Sequence, residues 1–180
     1  AISAPGLDID ILSPESMSGA LTRQPAAGNL ELSTEFFSAG GFASVAVAGR
    51  GMTLGNGVLL APKVVSRLLD LSSANDAAPN LRAGATRVLL PQGVRAPFSL
   101  TLRSFGYAAL PGATAVDPDA ALLIGEGAVI RVDPRGSVTL VGDQLAVVSG
   151  TVEAAAGTIN LRGGKRINEY HFPNGIVNEG

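Results

Sequence analysis

Cysteine and tryptophan are absent from this chain, histidine occurs once (His171), and lysine occurs only at Lys63 and Lys165. Without cysteine there is no disulfide framework and no thiolate zinc site. A single histidine nearly excludes a Ser-His-Asp triad or a histidine-based metal centre within the chain. Charged residues make up 16% of the sequence, against about 25% in ordinary soluble domains. The net charge of −2 comes with no basic stripe, so nucleic acid is not an expected partner. The carboxylates are scattered, which gives no bare cation site, and no cofactor is expected. No apolar run approaches the length of about 18 residues that a membrane-spanning helix needs. Aromatic residues are 4%, so the core must be made of Val, Leu, Ile and Ala. The chain begins with Ala1 rather than Met and reads as a fragment or a processed piece, from which a targeting segment can have been removed.

Small residues are abundant. Twenty-three glycines and 11 prolines in 180 residues mean frequent turns and make long helices unfavourable. Between Gly136 and Gly164 they punctuate a regular pattern. Val138, Leu145, Val152 and Ile159 fall seven apart, and so do Leu140, Val147, Ala154 and Leu161. A heptad of apolar residues can mark a coiled coil, but that structure needs helix formers between its apolar positions. Here the intervening residues are Gly, Thr and β-branched, which favour strands and bends. Within each unit apolar and polar residues alternate, as in Val138–Leu140, Leu145–Val147 and Ile159–Leu161, and period two is the signature of a strand. The segment "GSVTLVG" at 136–142 returns as "GTINLRG" at 157–163, a shift of three heptads. Three short strands separated by bends predict one coil of about 21 residues, with the next coil laid on it in parallel at about 4.8 Å. Val138 should then stack on Ile159 and Leu140 on Leu161, facing inward, with Thr139 and Asn160 facing out.

The same pattern places Val45, Met52 and Leu59, and Val47, Leu54 and Ala61, at heptad spacing in "SVAVAGRGMTLGNGVLLAP". Leu123 and Ile130 follow it in "ALLIGEGAVIRVDPRG", and "FSLTLRS" at 98–104 is one alternating strand. The expected fold is all-β: a right-handed parallel β-helix, or solenoid, of at most about eight coils and roughly 40 Å. Residues 1–27, with the acidic run "LDIDIL", form an N-terminal lead or entry segment. Residues 28–164 form the repeat region, with loops at about 72–85 and 105–120, and 165–180 form a C-terminal cap or tail. Residues 63–83 fit either a short helix or a strand pair.

Little in the sequence carries chemistry. No nucleophile elbow, Walker loop or zinc-protease motif is present. "GRGMTLGNG" has no helix after it and reads as coil corners rather than a phosphate loop. Asp117 and Asp119 in "VDPDAA" read as a solvated loop, and Asp133 in "VDPRG" as the start of a type I turn. Asp8 and Asp10 share a face if their segment is a strand, and read as solvated. His171, between Tyr170 and Phe172, reads as part of a cap, and Phe36, Phe37 and Phe42 as residues that stack inside or cap a coil. Phe105 and Tyr107, alternating in a Gly-containing loop, are the possible ligand contacts, although folding back to seal the side of the rod suits them as well.

"LSTEFFSAGGFASVAVAGRGMTLGNGVLLAP" and "AVIRVDPRGSVTLVGDQLAVVSGTVEAAAGTINLRGG" resemble the coils of the filamentous haemagglutinin family, over about half of the chain. The resemblance implies a shaft segment of a large secreted exoprotein of Gram-negative bacteria, displayed at the cell surface and active in attachment. The partners it implies are an outer-membrane two-partner secretion transporter and a receptor or glycan on a host or neighbouring cell. The secretion-domain turn motif of that family is missing; "FPNG" at 172–175 echoes it only superficially, at the wrong end. The expected function is structural and adhesive, without catalysis. Two alternatives remain: a β-helical polysaccharide lyase or hydrolase, which needs clustered carboxylates beside a basic residue, and a non-catalytic carbohydrate-binding solenoid.

Overall fold

The computed structural model describes residues 1–18, 27–69, 85–106, 120–164 and 176–178. The chain is mostly β, and its main sheets are parallel. A five-stranded first sheet has the order β1 (Ile2–Ala4), β4 (Ser44–Gly49), β9 (Ser99–Ser104), β12 (Ser137–Gly142), β15 (Thr158–Gly163). A six-stranded second sheet runs β3 (Asn29–Ser33), β2 (Asp8–Leu12), β5 (Met52–Leu54), β10 (Leu122–Ile124), β13 (Ala146–Val148), β16 (Ile176–Asn178). The third sheet holds β6 (Leu59–Leu60), β11 (Val129–Val132) and β14 (Thr151–Ala154). Between residues 44 and 154 the chain passes through first, second and third sheet in that order three times. Residues 2–12 are tied into this arrangement: Ile2 pairs with Val47, and Ile9 with Met52. Two short helices, α1 (Pro14–Ser18) and α2 (Phe36–Ala39), flank β3.

The predicted register holds. Val138 pairs with Ile159 and Leu140 with Leu161, and below them Val138 pairs with Leu100 and Leu100 with Val45. Period-two alternation sends these side chains inward, while Ser44, Ser99, Ser137 and Thr158 line up on the other face. Inward residues of all three sheets join one hydrophobic cluster, in which Val47, Leu54, Leu60, Leu100, Leu122, Ile130, Val138 and Leu140 are fully buried.

The heptad reading holds for Val45 and Met52 and for Val47 and Leu54, all of them buried, but needs correction elsewhere. In the second sheet Ala146 and Val148 face inward, not Leu145 and Val147. The steps along the inward residues Val138, Ala146, Val152 and Ile159 are therefore eight, six and seven. The bend after β12 takes one residue more and the next bend one fewer, so the total stays 21. For the same reason Leu60 rather than Leu59 is buried, and Leu122 and Ile124 rather than Leu123. Among the described residues the first sheet holds five strands, within the upper bound of about eight coils. Within the ambiguous stretch 63–83, Ser66–Leu69 is a strand, β7, paired antiparallel with β8 (Ala85–Val88), Leu68 lying opposite Thr86; residues 70–83 lie outside the described residues.

The corner before β12 also recurs before β15, 21 residues on. The N–H of Gly136 donates to the carbonyl of Asp133 at 2.9 Å and that of Gly157 to Ala154 at 3.0 Å. The third residues of these turns, Arg135 and Ala156, have φ of 68° and 50°. A positive φ at that position belongs to a type II turn, not the type I turn expected from Asp-Pro. A Cβ on Gly157 would lie 2.0 Å from the carbonyl oxygen of Gly136, and one on Gly136 would lie 2.5 Å from that of Phe98. Glycine stands at this corner because the rung beneath leaves no room for a side chain.

Candidate functional site

Phe105 is half-buried where β9 ends. Its N–H donates to the carbonyl of Gly49 at 2.9 Å, and the Arg103 guanidinium sits 5.0 Å from its ring centroid. Arg103 is itself held by Asp143 at 2.6 Å. Tyr107, Asp117, Asp119, Tyr170, His171 and Phe172 lie outside the described residues. Phe37 is buried, with Phe36 edge-on to it at a centroid distance of 5.3 Å. Phe42 is 66% exposed, its ring packed on Gly40. In "GRGMTLGNG" the glycines occupy the bends between β4, β5 and β6, with no helix following.

Two further ion pairs, like Arg103–Asp143, escaped the sequence reading because their partners are distant in the chain. Asp133 does begin a turn, but its carboxylate is buried against Arg95, whose Nε and Nη2 reach its two oxygens at 2.5 Å each. Arg95 Nη1 also donates to the carbonyl of Leu90 at 3.0 Å. This fork ties the excursion before β9 to the corner after β11. Hydrogen bonding to Asp133 raises the Arg95 pKa above its ordinary value, against the desolvation that lowers it. Asp8 is likewise anchored rather than simply solvated. Arg50 holds both of its oxygens, and the Gly51 N–H donates to Oδ1 at 2.9 Å. Hydrogen bonding to Arg50 is the largest cause of an Asp8 pKa below the usual carboxylate value, partly opposed by desolvation.

Asp8 and Asp10 do share the outer face of β2, opposite Asn29 and Glu31 of β3. With alternate residues about 6.6 Å apart along a strand, this face brings two carboxylates and a basic residue together. Its chemistry runs against acid–base catalysis. Asp8 has its oxygens committed and its pKa lowered, and Asp10 accepts from Asn29 Nδ2 at 2.6 Å. A glycosidase acid needs a raised pKa. Among the described residues no group of three or more His, Asp or Glu side chains is arranged to hold a metal ion.

The other candidate is a shallow, open cleft of about 360 Å³ on the side of the third sheet. One wall is Thr34, Glu35, Ser38 and Ala39, from the turn after β3 and from α2. The floor is Leu59, Ala61 and Val65, and Arg87 of β8 closes the far side. Leu59 is available because the bend before β6 turns it outward, where it is 54% exposed. The wall and floor are pinned together. Ser38 Oγ accepts from the Lys63 N–H at 3.0 Å, and Arg87 Nη2 donates to the carbonyl of Ala39 at 2.9 Å. No local motif announces the cleft, since it gathers residues from three separate segments.

No family model, curated protein or solved structure matches the chain.

Proposed function

We propose that this chain is a shaft segment of a secreted, surface-displayed filamentous exoprotein: a right-handed parallel β-helix with a structural and adhesive role and no catalysis. One observation carries the reading. The chain passes through three parallel sheets in repeating order, with Ser137–Gly142 lying in register on Thr158–Gly163 at 21 residues. A repeat of this kind builds a stiff object whose stability is summed over neighbouring rungs. Its side faces and excursions are then free to make contacts. The low charge and hydroxyl-bearing outer face suit such a shaft, and the resemblance to filamentous haemagglutinins supplies the function class, with an outer-membrane two-partner secretion transporter as export partner and a cell-surface receptor or glycan as target.

The test is retention of beads coated with the chain on epithelial and bacterial cell layers under flow. Retention well above that of albumin-coated beads supports adhesion; retention equal to albumin overturns it. The alternative, a polysaccharide-active enzyme, would have to work through the Asp8–Asp10–Arg50 face, whose committed Asp8 oxygens and lowered Asp8 pKa disfavour it. Release of reducing ends from pectin or xylan, abolished by Asp10→Asn, would replace the adhesive reading with the enzymatic one.

A further inference from the structure

The cleft between α2 and the strand pair has a composition that selects its ligand. Its floor, Leu59, Ala61 and Val65, is aliphatic. Its rim carries one carboxylate, Glu35, and one guanidinium, Arg87, and neither has an ion-pair partner among the described residues. Arg87 is fixed at one nitrogen by the Ala39 carbonyl, so its direction is set before a ligand arrives, which lowers the ordering cost of binding. Ser38 adds a hydroxyl already held in place by the Lys63 N–H.

A singly charged ligand would be attracted by one of Glu35 and Arg87 and repelled by the other, so neither sign gains much from the rim. A wholly apolar ligand would bury both charges without partners, which is unfavourable. A neutral polyhydroxylated ring answers all three features: its C–H face covers the aliphatic floor, its hydroxyls donate to Glu35, and its oxygens accept from Arg87. The cleft is shallow and open, so its volume of about 360 Å³ seats one face of one or two sugar rings and leaves the other face to solvent. We infer that this cleft is a subsite for a neutral mono- or disaccharide unit. The inference rests on the adhesive reading and names its target as glycan. With an aliphatic rather than aromatic floor, a dissociation constant on the order of 1 mM is expected. Repeated display on a filament would raise this by avidity.

Saturation-transfer NMR on the intact chain tests the inference, with lactose, cellobiose and chitobiose as neutral probes and 3′-sialyllactose as an anionic one. Transfer to the ring C–H protons of at least one neutral disaccharide is expected. Glu35→Gln and Arg87→Gln should each weaken it about tenfold, in line with loss of a hydrogen bond to a charged group. Both side chains are exposed, and an unchanged circular dichroism spectrum verifies the fold of each variant. The inference is overturned if no neutral probe shows transfer, if both variants leave transfer unchanged, or if only the sialylated probe binds. Beads that adhere to cells while the cleft variants bind and adhere as the wild type does would leave the adhesive reading standing and remove this cleft from it.

Discussion

β12 and β15 carry nearly the same pattern, "SVTLVG" and "TINLRG", and pair residue by residue. Yet Val138 and Leu140 are fully buried, while Ile159 and Leu161 are 42% and 39% exposed. The difference is neighbours. β12 lies between β9 and β15, whereas β15 is the last strand of its sheet among the described residues. Alternation decides which way a side chain points; only a rung on each side decides whether it is buried. The sharpest way to break the comparison is to truncate both strands alike. Leu140→Ala should lower unfolding free energy by about 3 to 4 kcal/mol, and Leu161→Ala by about 1 kcal/mol, because a cavity forms only where the surroundings are packed. Equal losses in urea denaturation would show that β15 is covered as β12 is.

The ion pairs offer the same contrast in charges. Arg95 and Asp133 are each 7% exposed, whereas Arg131 and Glu153, which join β11 and β14, are 58% and 43% exposed. Removing one partner of the first pair strands a buried charge. Arg95→Met is expected to cost about 3 kcal/mol, and its double variant with Asp133→Leu should recover much of that. Arg131→Met should leave the denaturation midpoint unchanged, since exposed pairs contribute little. The corner glycines come next. Gly157→Ala forces a Cβ against the Gly136 carbonyl and should destabilise by about 2 kcal/mol. Gly93→Ala, with no atom within 4 Å of the added Cβ, should be neutral or slightly stabilising. If the two substitutions have the same effect on thermal unfolding, rung spacing is not what requires glycine at the corner.

These contrasts mark how far the sequence could be read. The pairing of Val138 with Ile159 was legible because the strand pattern and its corner glycine recur together after 21 residues. The phase in the second sheet was not, because bends of unequal length average to seven: Leu145 fits the heptad, but Ala146 points inward. Three of the charged contacts that organise the surface were hidden by distance, since Arg95 meets Asp133 across 38 positions, Arg50 meets Asp8 across 42 and Arg103 meets Asp143 across 40. The cleft was invisible for the same reason. Residues near 35, 60 and 87 become neighbours only after the strand pair leaves the third sheet and returns. Phe105 was singled out as a contact, and the structure finds it half-buried beneath Arg103.

The smallest expected effect compares Asp8 in the folded and unfolded chain. Hydrogen bonding to Arg50 places its folded pKa below the ordinary carboxylate value of 3.8. The folded state then holds its proton less tightly than the unfolded state does. The resulting stability is fully present above the unfolded value, and it is lost as pH falls through the lower folded pKa. Both side chains are about one-third exposed, so solvent screening keeps the contribution small. Asp8→Asn removes the titrating group while preserving shape. Its urea midpoint should lie slightly below that of the wild type at pH 6, and the gap should narrow as pH is lowered below about 3.8. A gap of constant size between pH 6 and pH 2 would mean that Arg50 stabilises this corner through packing and its hydrogen bond geometry alone, and that the carboxylate charge adds nothing.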